Sequence, residues 1–187
     1  MLMSARPLFA CLCLMALAGC ASQVAMLSPL GPDDEFGPGE EGLVVARVVN
    51  ASSYPFPFNQ LTLTPDNVFE SEKVKFQRLQ PAMIRLEDTT VFASRVPPGR
   101  YSLDSIRAFH VIGDYYYSNV ASAEVGFGTF TVEAGRVTDL GTLIYYQKYD
   151  GESLSRLLLR APDSAPGEVL DKYFPNVAFA HDDVLGW

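Results

Sequence analysis

Apolar and polar residues alternate in short runs from Leu43 onward, with the period of a β-strand. Val44, Ala46 and Val48 fall on one side of the first run, Leu61 and Leu63 lie between Gln60, Thr62 and Thr64, and Val74 and Phe76 lie between Lys73, Lys75 and Gln77. The pattern returns at Ile84 and Leu86, set among Met83, Arg85 and Glu87, and at Phe130 and Val132, set among Thr129, Thr131 and Glu133. A period of two sends one set of side chains to a core and the other to water, as an antiparallel sheet with one solvated face requires. Turn formers punctuate the runs at Pro65-Asp66-Asn67, Pro97-Pro98-Gly99, Gly113-Asp114 and Ala134-Gly135. The pattern predicts an all-β domain over residues 43–160, an antiparallel β-sandwich of about seven to nine strands.

Beyond Tyr149 the alternation fades. Leu154, Leu157 and Leu158 have helical spacing, yet Leu157-Leu158-Leu159 also reads as a buried strand, and both assignments stay open. Asp163 or Ser164 suits the cap of a short helix with Pro166 in its first turn, running through Val169, Leu170 and Tyr173 until Pro175 ends it. Residues 161–187 are expected as this helix and a tail packed on the sandwich. The tail is expected to dock through Leu185 and Trp187, in a surface groove or on a partner.

The first 19 residues are patterned differently. Arg6 precedes an apolar run from Leu8 to Leu17, about 10 residues long, which suits a signal-peptide core and falls short of the ~20 that span a bilayer. The run ends in Leu17-Ala18-Gly19-Cys20, which resembles the lipobox of bacterial lipoprotein precursors. The resemblance implies removal of residues 1–19, with Cys20 as the mature N-terminus carrying diacylglycerol on sulfur and a further acyl chain on its amine. Each buried methylene contributes about 0.8 kcal/mol, so several chains hold firmly where one holds marginally. Ala21 and Ser22 follow, without the aspartate that favours inner-membrane retention, so the family pattern implies the outer membrane, on its periplasmic side or at the cell surface.

Cysteine usage agrees with that address. Cys11 and Cys13 leave with the signal, and the lipid occupies Cys20, so no free thiol is exposed to an oxidising space. Residues 20–42 hold Pro29, Gly31-Pro32-Asp33-Asp34 and Gly37-Pro38-Gly39-Glu40-Glu41-Gly42. Such a stretch buries little apolar surface and is expected as a flexible spacer. The net charge of −8 argues against nucleic acid and against electrostatic docking on anionic lipid heads. Membrane contact is expected through the lipid on Cys20.

Val91 to Leu103 reads as strand, Pro-Pro-Gly turn and strand, a hairpin in which Gly99 would take the positive φ of a type II turn. Its Val96-Pro97-Pro98-Gly99-Arg100-Tyr101 core resembles the signature of the carboxypeptidase-regulatory-like, or transthyretin-like (prealbumin-like), sandwich family. Phe130 to Gly141 is similar to the paired strands that end such domains in many bacterial lipoproteins. Together the two segments cover the second half of the sandwich. They imply a transthyretin-like, Ig-like fold and leave activity open.

Catalytic chemistry finds little material. The only histidines, His110 and His181, stand in no recognisable motif, and there is no zinc-binding spacing, nucleophile elbow or phosphate-cradling loop. The pairs Glu87-Asp88 and Asp182-Asp183 are the nearest to an acid–base or calcium cluster, but adjacent strand residues point to opposite faces, which works against joint use of the first pair. No enzyme, no cofactor and no metal are expected; a hydrolase using His110 or His181 is the least favoured reading. Tyr115-Tyr116-Tyr117 after the Gly113-Asp114 turn offers flat apolar faces with polar tips, suited to a protein surface or to sugar rings. The same tyrosines fit better as residues flanking a sandwich core with their hydroxyls turned to water. The expectation is a lipid-anchored envelope-accessory module binding another envelope protein, with glycan or peptidoglycan binding as the alternative.

Overall fold

The computed structural model describes residues 24–31, 34–52, 58–66, 76–79, 81–85, 88–122, 128–149, 151, 154–161, 168–174, 177 and 184–186. Twelve strands and one helix occur among them: β1 (Val24–Leu27), β2 (Gly42–Asn50), β3 (Gln60–Pro65), β4 (Phe76–Leu79), β5 (Pro81–Arg85), β6 (Thr89–Val96), β7 (Gly99–Ile112), β8 (Tyr115–Ser122), β9 (Thr129–Val132), β10 (Val137–Tyr149), β11 (Leu154–Arg160), α1 (Glu168–Tyr173) and β12 (Val184–Gly186). Sheet I has the order β1-β4-β3-β7-β8, with β9 also on β7; sheet II has the order β11-β10-β2-β6-β5, with β12 also on β10. The protein is an all-β sandwich with a short C-terminal helix.

Both sheets are mixed, because β1–β4, β2–β10 and β10–β12 are parallel. Parallel neighbours need long crossovers, which a local alternation pattern does not reveal. The strand number exceeds the expected seven to nine for a related reason: β1, β4, β9 and β12 have only three or four residues each, too few to display a period. Leu154–Arg160, open between helix and strand, is β11, antiparallel to β10.

Alternate residues of the two sheets meet in the main core, where Val44, Ala46, Phe92, Leu143 and Tyr145 of sheet II face Leu61, Leu63, Leu103 and Ile106 of sheet I. Sheet II is buried on its other face too. Leu43, Val45, Val91, Ala93 and Val137 form a second cluster, covered by Leu30 and Phe36 from the N-terminal side and by Tyr173, Phe174 and Val177 from the C-terminal side. This corrects the expected spacer. From Val24 onward the described part of residues 20–42 belongs to the fold: Val24–Leu27 pairs with β4, the Leu30 amide donates to the Ala93 carbonyl at 2.7 Å, and Arg95 donates to the Glu35 carbonyl at 2.8 Å. Leu30 and Phe36 bury against the second face of sheet II and Leu27 packs against the main core, so a Pro/Gly-rich segment is drawn onto the fold by the few apolar residues it carries.

One residue of β10 lets it serve both cores. Asp139 pairs with Val45 but Thr142 pairs with Arg47, so β10 carries one extra residue between them. Gly141 takes φ 71° there, and its amide donates to the Asp139 carboxylate at 2.7 Å. A bulge shifts the parity of a strand, so odd-numbered Val137 before it lies in the second cluster, whereas Leu140 at the bulge and odd-numbered Leu143 and Tyr145 after it reach the main core.

The Val96 to Tyr101 motif is a corner and not a hairpin, since β6 lies in sheet II and β7 in sheet I. Pro97 and Pro98 lack the amide hydrogens that would continue a ladder, and the Tyr101 hydroxyl donates instead to the Pro97 carbonyl at 2.9 Å. Gly99 is absent from the residues with positive φ. Its small size serves packing, because a Cβ would lie 3.3 Å from the Tyr101 ring. The segment from Phe130 to Gly141 likewise changes sheets, from β9 to β10, at Ala134-Gly135.

Two stability predictions follow from this packing. Phe36→Ala should cost about 3 kcal/mol in urea unfolding, as for other large buried aromatics; a loss under about 0.5 kcal/mol would return this stretch to spacer status. Burial pushes the Tyr101 phenol above its ordinary value, so the folded chain holds that proton to higher pH than the unfolded chain does. The contribution is complete below about pH 10 and is lost as pH rises through the folded value. Urea midpoints measured at alkaline pH should fall less steeply for Tyr101→Phe than for wild type, and equal slopes would refute the assignment.

Candidate functional site

The Gly113-Asp114 turn joins β7 to β8 in continuous register, from Ser105 opposite Ser122 to Ile112 opposite Tyr115. Gly113 has φ 59° while Asp114 does not take positive φ, which fits a two-residue type II′ turn with glycine in first position. On its other side β7 pairs with β3 only as far as Arg107. The Asn59 side chain extends the ladder by one step, donating to the Phe109 carbonyl at 2.7 Å and accepting from the Phe109 amide at 3.2 Å. Past that point no further described strand flanks β7, and the hairpin continues as a two-stranded ribbon.

The ribbon is apolar and exposed on both faces. Val111 and Tyr116 are cross-strand partners on one face, 68% and 64% exposed; Ile112 and Tyr115 are partners on the other, 52% and 71% exposed. Phe109 and Tyr116 stack diagonally, with ring centroids 6.3 Å apart and planes at 21°. His110 stands opposite Tyr117. Between Ala108 and Ser122 the only acidic or basic side chain besides His110 is Asp114, at the turn itself. The ribbon is therefore a projection with a single carboxylate, at its tip, on a strongly acidic protein.

Its base is fixed to the other sheet. Asn119 of β8 donates through Nδ2 to the Tyr145 hydroxyl at 2.7 Å, and Gln147 donates to the same oxygen. The Phe58 ring meets Tyr145 edge-on at 4.6 Å. The polar tip of a fully buried tyrosine thus has its partners, and the hairpin is tied to the opposite sheet at its base.

Tyr115, Tyr116 and Tyr117 are brought together on this ribbon. They do not flank the core, because their strand outruns the sandwich. Val111, Ile112 and Val120 join the same exposed patch and escaped the sequence reading. Their signal is the absence of alternation on both sides of a two-residue turn, which marks a strand pair without a buried face. The backbone of Leu185 belongs to β12, paired with Thr138 of β10. Cys20, His181, Trp187, Glu87 and Asp163 lie outside the described residues.

Two surface depressions, of about 820 and 330 Å³, border Arg95 and the segments 26–30 and 34–41; neither is lined by histidine or cysteine. Among the described residues no three His, Cys, Asp or Glu side chains gather as metal ligands would, and no helix is long and apolar enough to cross a membrane.

No protein-family model and no curated protein matches the chain. Among solved structures, a leucine-rich repeat protein from Bacteroides thetaiotaomicron aligns with TM-score 0.35 and 11% identity, over 57% of this chain and 14% of that one. A candidate cell adhesion protein from Bacteroides fragilis aligns with TM-score 0.36 and 9% identity, over 68% of this chain and 48% of that one. The chain thus spans less than half the length of either. Likeness at this level carries no functional argument.

Tyr145→Phe leaves the buried Asn119 amide without its acceptor and should cost about 1–3 kcal/mol. Amide exchange should accelerate selectively along β8, and uniform acceleration across both sheets would contradict the role given to this bond.

Proposed function

We propose that the protein is a lipid-anchored, non-enzymatic interaction module of the bacterial envelope, with a transthyretin-like sandwich as its body and the β7–β8 ribbon as its recognition element for another envelope protein. The observation that carries the reading is the ribbon itself: a rigidly based projection whose apolar side chains contribute nothing to the monomer's core. Contiguous exposed apolar surface of this kind marks sites of association, and tyrosine supplies contact area at low entropic cost.

Strand directions support an outward-facing role. Leu27, Leu79, Leu61 and Ile106 lie in one line across sheet I, and β1 runs in the same direction as β7. Val24 is three residues behind that line and Ile112 six residues ahead of it, so the two ends are separated by about 30 Å along the strands. Cys20 is four residues upstream of Val24, a reach of at most ~14 Å. Lipid on Cys20 would hold the opposite end of the sandwich near the membrane and present the ribbon away from it.

The second reading is a carbohydrate partner, favoured by Tyr115 and Tyr117 on one face of β8, two residues apart. Apolar Val111, Ile112 and Val120 beside them favour protein.

Metabolic labelling with an alkyne fatty acid should mark the wild type and not Cys20→Ala; labelling that survives the substitution removes the anchor. Crosslinked capture from intact envelopes should yield one stoichiometric protein from the wild type and lose it with Val111→Ser/Tyr116→Ser. Capture of glycan in its place selects the second reading, and capture indifferent to the ribbon variant refutes both.

A further inference from the structure

We infer that β8 is the pairing edge of a two-fold dimer, its outer side forming antiparallel ladder bonds with β8 of a second copy. The inference rests on reading the β7–β8 hairpin as the interaction element and names its first occupant.

The hydrogen-bond pattern of the hairpin comes from its turn. A two-residue turn makes Ile112 and Tyr115 a hydrogen-bonded pair, so Tyr117, Asn119 and Ala121 also direct their backbone groups at β7. Tyr116, Ser118, Val120 and Ser122 direct theirs outward, and among the described residues no strand pairs with that side. Edges are ordinarily blunted by charge, proline, bulges or shortness. β8 has eight residues, YYYSNVAS, without charge or proline, and its register against β7 is unbroken. The edge strands of sheet II differ: β5 starts at Pro81 and pairs irregularly with β6, and β11 carries Arg156 and Arg160.

The order of side chains along β8 selects a second copy as the partner. The large residues Tyr115, Tyr116 and Tyr117 occupy its first half and the smaller Asn119, Val120 and Ala121 its second. Antiparallel self-pairing about Ser118 sets Tyr115 across from Ala121, Tyr116 across from Val120 and Tyr117 across from Asn119. Each large side chain then meets a smaller one, Tyr116 with Val120 is a favourable aromatic–β-branched pair made twice, and no like charges oppose. The pairing is isologous, as a closed two-fold interface requires, and it merges the two copies of sheet I into one continuous sheet.

The test uses the full chain produced in a bacterial envelope and purified in detergent. Light scattering should give a protein mass twice that of one chain, and Ser118→Lys, which sets two like charges at the two-fold axis, should halve it while leaving thermal unfolding of the exposed-site variant cooperative. Ser118→Cys sets two Cα atoms about 5.5 Å apart across a hydrogen-bonded antiparallel pair, inside the ~4.4–6.8 Å range of disulfides. After oxidation it should crosslink to a dimer, whereas Thr129→Cys on exposed β9, in the same background, should not. A monomeric wild type, or equal crosslinking at positions 118 and 129, overturns the pairing. Loss of crosslinking with ribbon-dependent capture intact would overturn the dimer alone, and a crosslinked dimer with capture indifferent to the ribbon would overturn only the hetero-partner reading.

Discussion

The structure depends on a sheet that is apolar on both sides. In β2 the consecutive residues Leu43, Val44, Val45 and Ala46 are all fully buried, and in β6 so are Val91, Phe92 and Ala93. A strand of this kind has no face to give to water, so sheet II must be covered twice. Sheet I covers one side. The other is closed by pieces from opposite ends of the chain, Leu30 and Phe36 before the first strand of the sheet and Tyr173, Phe174 and Val177 after the last long one. The sandwich is consequently three layers deep over its centre, and both ends of the described chain are tied to the same strands.

This arrangement accounts for what could be read in advance and what could not. The alternation of Val44, Ala46 and Val48, or of Leu61 and Leu63, correctly indicates β-strands, and the turn formers correctly divide them. The interleaved residues Leu43 and Val45 are apolar as well, and the continuous apolar run from Leu43 to Ala46, broken at Arg47, was the available sign of a strand buried on both faces. Weighing it would have predicted a cover and drawn attention to Leu30 and Phe36. The Pro-Pro-Gly segment marked a change of direction without revealing whether the chain returns to the same sheet, because turn chemistry is local and sheet membership is not. The pairing of β6 with β2 and β5 and of β7 with β3 and β8 distinguishes the two outcomes, and the Tyr101 hydroxyl, bonded back to Pro97, belongs to the corner. The bulge at Asp139 to Thr142 was hidden for a similar reason, since one inserted residue looks like a break in periodicity until its partner strand is known.

The ribbon was legible in its chemistry and not in its position. Three consecutive tyrosines after a Gly-Asp turn fit either a core flank or a binding surface, and the deciding fact is where β3 stops. Pairing on that side ends at Arg107 and Asn59 closes it off, while β7 and β8 continue for several residues. A strand that outlasts its neighbours acquires two solvent faces, and Val111, Ile112, Tyr115 and Tyr116 occupy both. Packing of the main core does not explain these residues, because they lie outside it and stay more than half exposed. Burial in the proposed assembly would.

The body and the ribbon also divide the work by rigidity. An edge strand recognises a partner well only if its backbone groups are already in line, since ordering a mobile segment at the moment of binding costs affinity. β8 meets that condition at its base, where Asn119 reaches across to Tyr145 and Phe58 packs on the same ring. The anchoring contact belongs to sheet II, the sheet held from both sides, so the precision of the exposed edge derives from the most deeply buried layer. With lipid on Cys20, the proposed attachment lies at the opposite end of the strands, separated by the full length of the sandwich from the proposed recognition surface. Membrane attachment then leaves the ribbon's faces and edge clear, and antiparallel β8 pairing, which reverses the strand direction of the second copy, would set the two attachment ends on opposite sides of the paired ribbons.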